Sequence, residues 1–356
     1  MTEPAASSHS RSPESDFEDG IENAVEKAVP RARSWLWLLL QVACCVAIFW
    51  IVTRLDLVDF SLLSGILDHP VAIAAAFLLT LATLPLAALR WFLLMRAQSV
   101  DVGFRPTLRM TCIAVAGNAL ILGGIGGEVA RIAFAARRTK GQRTAALTSI
   151  VIDRVLAMFG VLVVGAAMVP SLASVIRISP VLTAGAGFLA GGFLAAIAAM
   201  TIAIAASGGN RIAALIDAWL RPRWLATTIL RTMAAIACYR TRWRVLVTCA
   251  ALSALNALTA PLALYIFCQT QAISDLGFSA LAYAASFATI ANLVPISPGG
   301  LGVGEGVFAQ ICALLGGGAT AQYGTIFLGN RAVSTLAFLC GLLALIGHKH
   351  PAGGRR

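Results

Sequence analysis

Asn292-Leu-Val-Pro295-Ile-Ser297-Pro298-Gly299-Gly300-Leu-Gly302-Val-Gly304-Glu305 is the stretch on which the fold turns. It lies in an apolar run with no charged residue between Asp275 and Glu305. Two prolines remove backbone donors, and the glycines disfavour a continuous helix. A bilayer does not tolerate lipid-exposed irregular backbone, so a break in such a run is buried in protein or lines a wet cavity. Glu305 stands where the break ends. The stretch reads as the turn of a discontinuous membrane hairpin that carries a buried carboxylate.

The surrounding chain supports a membrane setting. Of 356 residues, 59% are hydrophobic and 12% charged, and mean hydropathy is +0.84. Apolar runs of about 20 residues make this an all-α polytopic membrane protein. The net charge of +11 is unevenly spread, because the acids Glu3, Glu14, Asp16, Glu18, Asp19, Glu22 and Glu26 all lie ahead of the first apolar run. A basic membrane protein fits positive loops on anionic lipid, and nucleic-acid binding is not read from it. The cysteines form no CxxC pair and lie mostly in apolar runs, and the four histidines show no zinc spacing. Neither a metal nor another cofactor is expected.

Residues 1–30 read as a disordered acidic tail. Residues 31–350 read as one transmembrane domain, and 351–356 as a basic tail. Arg31 and Arg33 precede a first span at 35–52, which places the amino terminus in the cytoplasm by the positive-inside rule. Further spans are expected at 71–94, 145–169, 181–206, 245–268 and 323–346. The segment 207–244 carries seven arginines and reads as a cytoplasmic interfacial helix or a solvated basic loop. Both termini are then cytoplasmic.

One segment does not fit a full crossing. An apolar run at 110–122 breaks at Gly123-Gly124-Ile-Gly126-Gly127-Glu128 and is followed by Arg137-Arg138-Thr-Lys140. Both flanks are basic, so a cytoplasmic re-entrant hairpin is the simplest solution. At the second break, either an external hairpin or two full crossings closes the parity, and charge does not separate them. The hairpin option gives about six full helices plus two re-entrant hairpins. It also gives two halves of opposite direction, about 35–169 and 181–347. The separation between Glu128 and Glu305 recurs unchanged between Arg154 and Arg331, Gly123 and Gly300, and Gly127 and Gly304. An inverted-topology repeat with broken helices at mid-membrane is a signature of alternating-access transporters.

Glu128, Asp153 and Glu305 are the acids at membrane depth, with Arg131, Arg154 and Arg331 as basic counterparts and Arg90 near a span end. A mid-bilayer charge costs at least about 2.5–3.5 kcal/mol, so these residues pair or face a wet cavity. One reading is salt bridges that lock the bundle. The other is a substrate cavity in which arginines grip phosphate and carboxylates meet a cationic group or exchange protons. Asn292 and Ser297 are placed with that cavity. Gly123, Gly124, Gly126, Gly127, Pro295, Pro298, Gly299, Gly300 and Gly302 form the hairpin turns. No catalytic constellation appears, so an enzyme is not expected.

Pro295-x-Ser297-Pro298-Gly299-Gly300-x-Gly302-x-x-Glu305, with Gly127-Glu128-x-x-Arg131 and Asp153-Arg154, resembles the flippase-like family of the lysylphosphatidylglycerol synthase transmembrane region. The resemblance covers about 35–347. Two departures stand out: no proline precedes the first glycine cluster, and Asp153 stands where glutamate is common. The resemblance implies movement of a polar or anionic lipid between leaflets of the cytoplasmic membrane. In the synthase this region precedes a soluble aminoacyl-transferase domain, and translocation without synthesis is the expectation here. The implied partner is a membrane phospholipid or other polar lipid, with a lipid-synthesis enzyme as a further candidate. The alternatives are an accessory subunit of a lipid-, hopanoid- or glycolipid-modifying pathway, or a lipid-linked transferase.

Overall fold

Apolar stretches rich in Leu and Ala satisfy their own backbone hydrogen bonds as helices, which is what a bilayer demands. The computed structural model describes residues 60–120, 126–138, 143–207, 237–273, 275–293 and 302–346. Within them the chain is helical, with no strand. The elements are α1 Phe60–Leu67, α2 Pro70–Ala97, α3 Phe104–Leu120, α4 Gly126–Arg138 and α5 Arg143–Met168. They continue as α6 Pro180–Ser207, α7 Trp243–Thr270, α8 Phe278–Ala291, α9 Val303–Leu314 and α10 Thr320–Ile346. The acidic tail, the expected first span, most of the basic segment 207–244 and the tail 351–356 lie outside the described residues.

Four stretches are long and apolar enough to cross a membrane: Pro70–Ala97, Ala145–Ile176, Pro180–Ile202 and Trp243–Thr270. They coincide with four of the expected spans to within a few residues. The chain is thus an integral membrane protein. The helix α10 has 27 residues, although Arg331 interrupts its apolar run. In contrast, α8 has 14 residues and α9 has 12, rises of ~21 and ~18 Å against a hydrocarbon core of ~30 Å. The first broken segment gives a similar pair, α3 with 17 residues and α4 with 13.

Packing follows a pattern. The centre is the α2–α7 contact, and each of these helices holds an internal proline, Pro85 or Pro261. α7 packs on α5 as α2 packs on α10. α8 packs on α5 as α3 packs on α10. Within each half, α4 lies on α5 and α9 lies on α10. The short pairs α3–α4 and α8–α9 thus each touch the last long helix of both halves.

The ends of α2 and α7 are built alike. After Ala97 come Gln98 and Ser99, the latter at φ 60°, and Val100 N donates to Met95 O at 3.0 Å. After Thr270 come Gln271 and Ala272, the latter at φ 54°, and Ile273 N donates to Cys268 O at 3.0 Å. Both are Schellman caps, and each places a non-glycine residue in the left-handed region at a cost of roughly 1–2 kcal/mol. An aromatic contact then ties each cap to the next helix. Phe92 meets Phe104 edge-on at 5.8 Å, and Tyr265 meets Phe278 at 5.9 Å.

Small residues bring the long helices close, as is usual in membranes. A side chain at Gly160 would place its Cβ 2.4 Å from the Ser253 carbonyl oxygen, at the α5–α7 crossing. Gly187, on α6, has open space around it. Gly160→Val is therefore expected to lower the thermal midpoint in detergent, by an overpacking cost of about 1–3 kcal/mol. Gly187→Val serves as the control and should leave the midpoint nearly unchanged.

Candidate functional site

Asp153 sits ten positions past the first residue of α5, between Arg90 from α2 and Arg131 from α4. Its side chain is fully buried. Arg90 Nε donates to Oδ1 at 2.6 Å, and Arg131 Nη1 donates to Oδ2 at 2.8 Å. Arg90 Nη1 also donates to Ser253 Oγ at 3.0 Å, which draws in α7. The Arg131 guanidinium lies over the Trp91 ring at 4.9 Å, and Trp91 Nε1 donates to Ser149 Oγ. One carboxylate thus joins four helices with both its oxygens occupied. Each charge lies in low dielectric, where a directed partner offsets its lost hydration.

Beside this cluster, Arg154 faces outward. Its Nη2 lies 2.5 Å from Glu128 Oε1, an ionic contact without hydrogen-bond alignment. The two side chains are 44% and 27% exposed. Val151 and Val155 flank Arg154 on the same helix face and are themselves exposed. A charge within a membrane span on such a face requires water or a polar partner.

The second half holds the counterpart. Arg331 Nη1 donates to Glu305 Oε1 at 2.7 Å, with side chains 19% and 5% exposed. Glu305 Oε2 accepts from Gly302 N at 2.8 Å, so the carboxylate also caps α9. Gly302 has no side chain to return that bond, and its φ of 82° is one that glycine adopts freely. Glu128 and Glu305 are each the third residue of a short helix. Arg154 and Arg331 each lie eleven positions past their helix's first residue, a rise of ~17 Å.

Gly126 and Gly127, read from the sequence as turn residues, lie inside the first turn of α4, and Gly127 and its counterpart Gly304 in α9 serve close approach. A side chain on Gly127 would collide with the Ala114 carbonyl and the Asn118 carboxamide, and Gly127 N donates to Asn118 Oδ1 at 2.8 Å. A side chain on Gly304 would occupy the position of the Asn292 carboxamide. Asn292 thus lies against the amino-terminal turn that carries Glu305.

Of the residues singled out in the sequence, Arg131 and Asp153 form the sealed cluster. Glu128, Arg154, Glu305 and Arg331 form the two pairs. Gly126 opens α4, and Gly302 precedes α9. Ser297, Gly123, Gly124, Pro295, Pro298, Gly299 and Gly300 lie outside the described residues. The sequence reading set Arg90 near a span end and outside the site; it lies two turns from the end of α2, yet it is 3% exposed and pairs with Asp153. A further signal was readable: Gln98-Ser-Val-Asp101-Val-Gly103-Phe104 is echoed by Gln271-Ala-Ile-Ser-Asp275-Leu-Gly277-Phe278. These are the two capped corners described above.

Residues 30–341 match the model of the family described as the lysylphosphatidylglycerol synthase TM region. No match was found among curated proteins or among solved structures.

Truncating Arg90 to alanine leaves Asp153 one donor short and opens the α2–α5–α7 junction. Its expected cost is about 3–5 kcal/mol, read as a large fall in thermal midpoint or loss of monodisperse elution. Replacing Arg90, Arg131 and Asp153 together with apolar residues of similar volume should recover much of that loss. A triple variant less stable than Arg90→Ala would contradict the lock.

Proposed function

This chain belongs to the family of the lysylphosphatidylglycerol synthase TM region, which sets it in a lipid-modification context, and we propose that it translocates a polar or anionic lipid between leaflets. The carrying observation is the pair of Glu–Arg contacts, Glu128–Arg154 and Glu305–Arg331. They stand at equal depths along corresponding helices, and the first is open to its surroundings. Structural locks have no need of exposure, whereas a headgroup path through a bilayer needs exchangeable charge at depth.

In this reading α3–α4 and α8–α9 are re-entrant hairpins entering from opposite faces, and the two halves form an inverted repeat with six full spans. Four features support it. The short helices fall below the hydrocarbon thickness, the packing contacts exchange between halves, the caps of α2 and α7 match, and the Phe92–Phe104 and Tyr265–Phe278 contacts correspond. Arg31 and Arg33 ahead of the first expected span, and the basic carboxyl end, place both termini on the cytoplasmic side of a cytoplasmic-membrane protein in this reading.

The chemistry is partner exchange. A lipid phosphate approaching Arg154 offers the guanidinium a forked acceptor in place of Glu128. The displaced carboxylate then meets the cationic part of a headgroup or takes a proton. Val151 and Val155 give acyl chains an apolar wall while the headgroup stays on the charged strip. Rocking of one half against the other, about hairpins that touch both halves, passes the headgroup from one pair to the next. The chain performs no covalent step, and an ion gradient or the lipid gradient supplies the drive.

Purified protein in liposomes should equilibrate a fluorescently labelled anionic phospholipid between leaflets, measured by dithionite bleaching. Arg331→Ala and Glu305→Gln should slow this by roughly ten- to a hundredfold, the worth of one charge-assisted bond. Variant rates equal to wild type would remove these residues from the path. No movement by the wild-type protein, with capture of a lipid-modifying enzyme from membranes, would instead indicate an accessory subunit.

A further inference from the structure

The two central helices share a motif that the charged pairs do not use. In α2, Thr83 Oγ1 donates to Thr80 O at 2.6 Å, and Pro85 follows two positions later. In α7, Thr259 Oγ1 donates to Asn256 O at 2.7 Å, and Pro261 follows two positions later. Each proline withholds a backbone donor and crowds the carbonyl four residues before it. Each threonine bonds back to its own helix, and both features bend a helix at that turn. The helices run antiparallel, because Arg242 reaches the Ala97 carbonyl and Cys249 the Arg90 carbonyl. Extending that register sets Thr80–Pro85 beside Asn256–Pro261. Two weakened turns thus stand side by side.

The polar bonds between these helices fall on one side of the turns. Past Pro85, Arg90 Nη1 donates to Ser253 Oγ at 3.0 Å. Tyr239, just ahead of α7, donates its hydroxyl to Leu94 O at 2.9 Å and accepts from Gln98 Nε2 at 2.7 Å. Arg242 Nη1 donates to the carbonyls of Ala97 and Arg96, at 2.6 and 3.2 Å. On the other side, no hydrogen bond or ion pair joins residues 70–84 to 262–270 among the described residues. Ala72, Ala76, Ala263 and Leu264 of those arms belong to one apolar core, and Thr80 turns to Ser334 of α10, 3.2 Å away. In a bilayer, apolar contact between helices adds little over contact with lipid, so parting these arms costs less than parting the bonded ones.

We propose that α2 and α7 bend at their Thr-x-Pro turns, so that the arms before Pro85 and after Pro261 part while the bonded arms stay clamped. The purpose of this hinge rests on the proposed translocation, which needs a cleft open to one face at a time. The basic flanks put the clamped arms on the cytoplasmic side, so the cleft opens to the outer face. Arg90 and Asp153 lie with the clamped arms, and the sealed cluster stays intact as the others part. A bend of about 20° carries Val71, in the first turn of α2, by ~7 Å.

Nitroxides attached to p-acetylphenylalanine, which leaves the native cysteines untouched, report on both ends by double electron–electron resonance. The full-length protein is measured in nanodiscs. Val71 with Gln269 marks the loose arms and Arg96 with Val247 the clamped arms, all four positions being exposed. The loose pair should show two populations at least about 5 Å apart, and the clamped pair one. Pro85→Ala combined with Pro261→Ala should collapse the loose pair to one population and leave the clamped pair unchanged. Alanine restores the missing donor and favours the helix, so this variant keeps its fold. A single loose-arm distance in the wild-type protein overturns the hinge. Equal spread at both ends indicates rigid halves and overturns it too. Two populations that survive both alanines put the bend elsewhere, with the same consequence. Lipid movement at the wild-type rate in the collapsed variant removes the hinge from the path. The distances are read without lipid movement, so a bending protein that moves no lipid counts against translocation and not against the hinge.

Discussion

A carboxylate with no water must be fully occupied, and Asp153 imposes that condition on the bundle. Its two oxygens select Arg90 from α2 and Arg131 from α4, and Arg90 reaches on to Ser253 of α7. No lipid tail could substitute for any of these donors. In a bilayer, helices gain little by hiding apolar surface from one another, so directed polar contacts and close packing choose their partners. Asp153 provides the contact, and Gly160 against Ser253 provides the approach. The short helix α4, which has little apolar area with which to hold itself in place, is anchored through Arg131.

The anchor explains why Glu128 and Arg154 are presented together. Glu128 and Arg131 occupy neighbouring turns of α4, and Asp153 and Arg154 are adjacent on α5. Fixing Arg131 to Asp153 sets the two helices in register and brings Glu128 opposite Arg154 on the outer face. The buried contact fixes the register, and the exposed contact is the one open to the surroundings. In the second half the same register is reached differently. Phe308 stands to Glu305 as Arg131 stands to Glu128, and it packs against Phe327 in a tilted contact at 5.0 Å and edge-on against Tyr323 at 6.5 Å. Asn330 stands before Arg331 as Asp153 stands before Arg154, and it is buried at 7% exposure. Aromatic packing there takes the place that charge holds in the first half.

Much of this was legible in the sequence, for reasons that differ by feature. The long apolar spans were readable because the bilayer fixes their length, and the separation of α3 from α4 and of α8 from α9 because proline and glycine disfavour a continuous helix irrespective of its neighbours. The common step from Glu to Arg was readable as a spacing and forms an ion pair in both halves. Arg90 was not readable as a central residue. Its role comes from the α2–α7 and α2–α5 crossings, which join residues 63 and 163 positions apart. Periodicity along one helix carries no information about such partners. The sequence reading favoured a substrate cavity lined by Glu128, Arg131, Asp153, Arg154, Glu305 and Arg331, but Arg131 and Asp153 are sealed inside the bundle, because residue type does not encode exposure. Asp153 and Arg154 are adjacent, yet one is sealed and the other faces outward.

That adjacency limits how the protein moves. Any movement of the bundle must keep Asp153 paired, because separating a buried carboxylate from its donors costs several kcal/mol. Motion at the first half must therefore carry α2, α4 and α5 together. The softer boundaries are the crossings that hold no ion pair among the described residues, as in α8 against α5 and α3 against α10. Among those residues, the ionic tie between α9 and its neighbours is Glu305–Arg331 itself. The second hairpin can shift at the expense of that contact; under the proposed translocation a lipid phosphate replaces it in turn, after the more exposed Glu128–Arg154 contact. The charge distribution thus makes two similar halves unequal: the first is braced by the sealed Asp153 cluster, and the second is held by the Glu305–Arg331 contact.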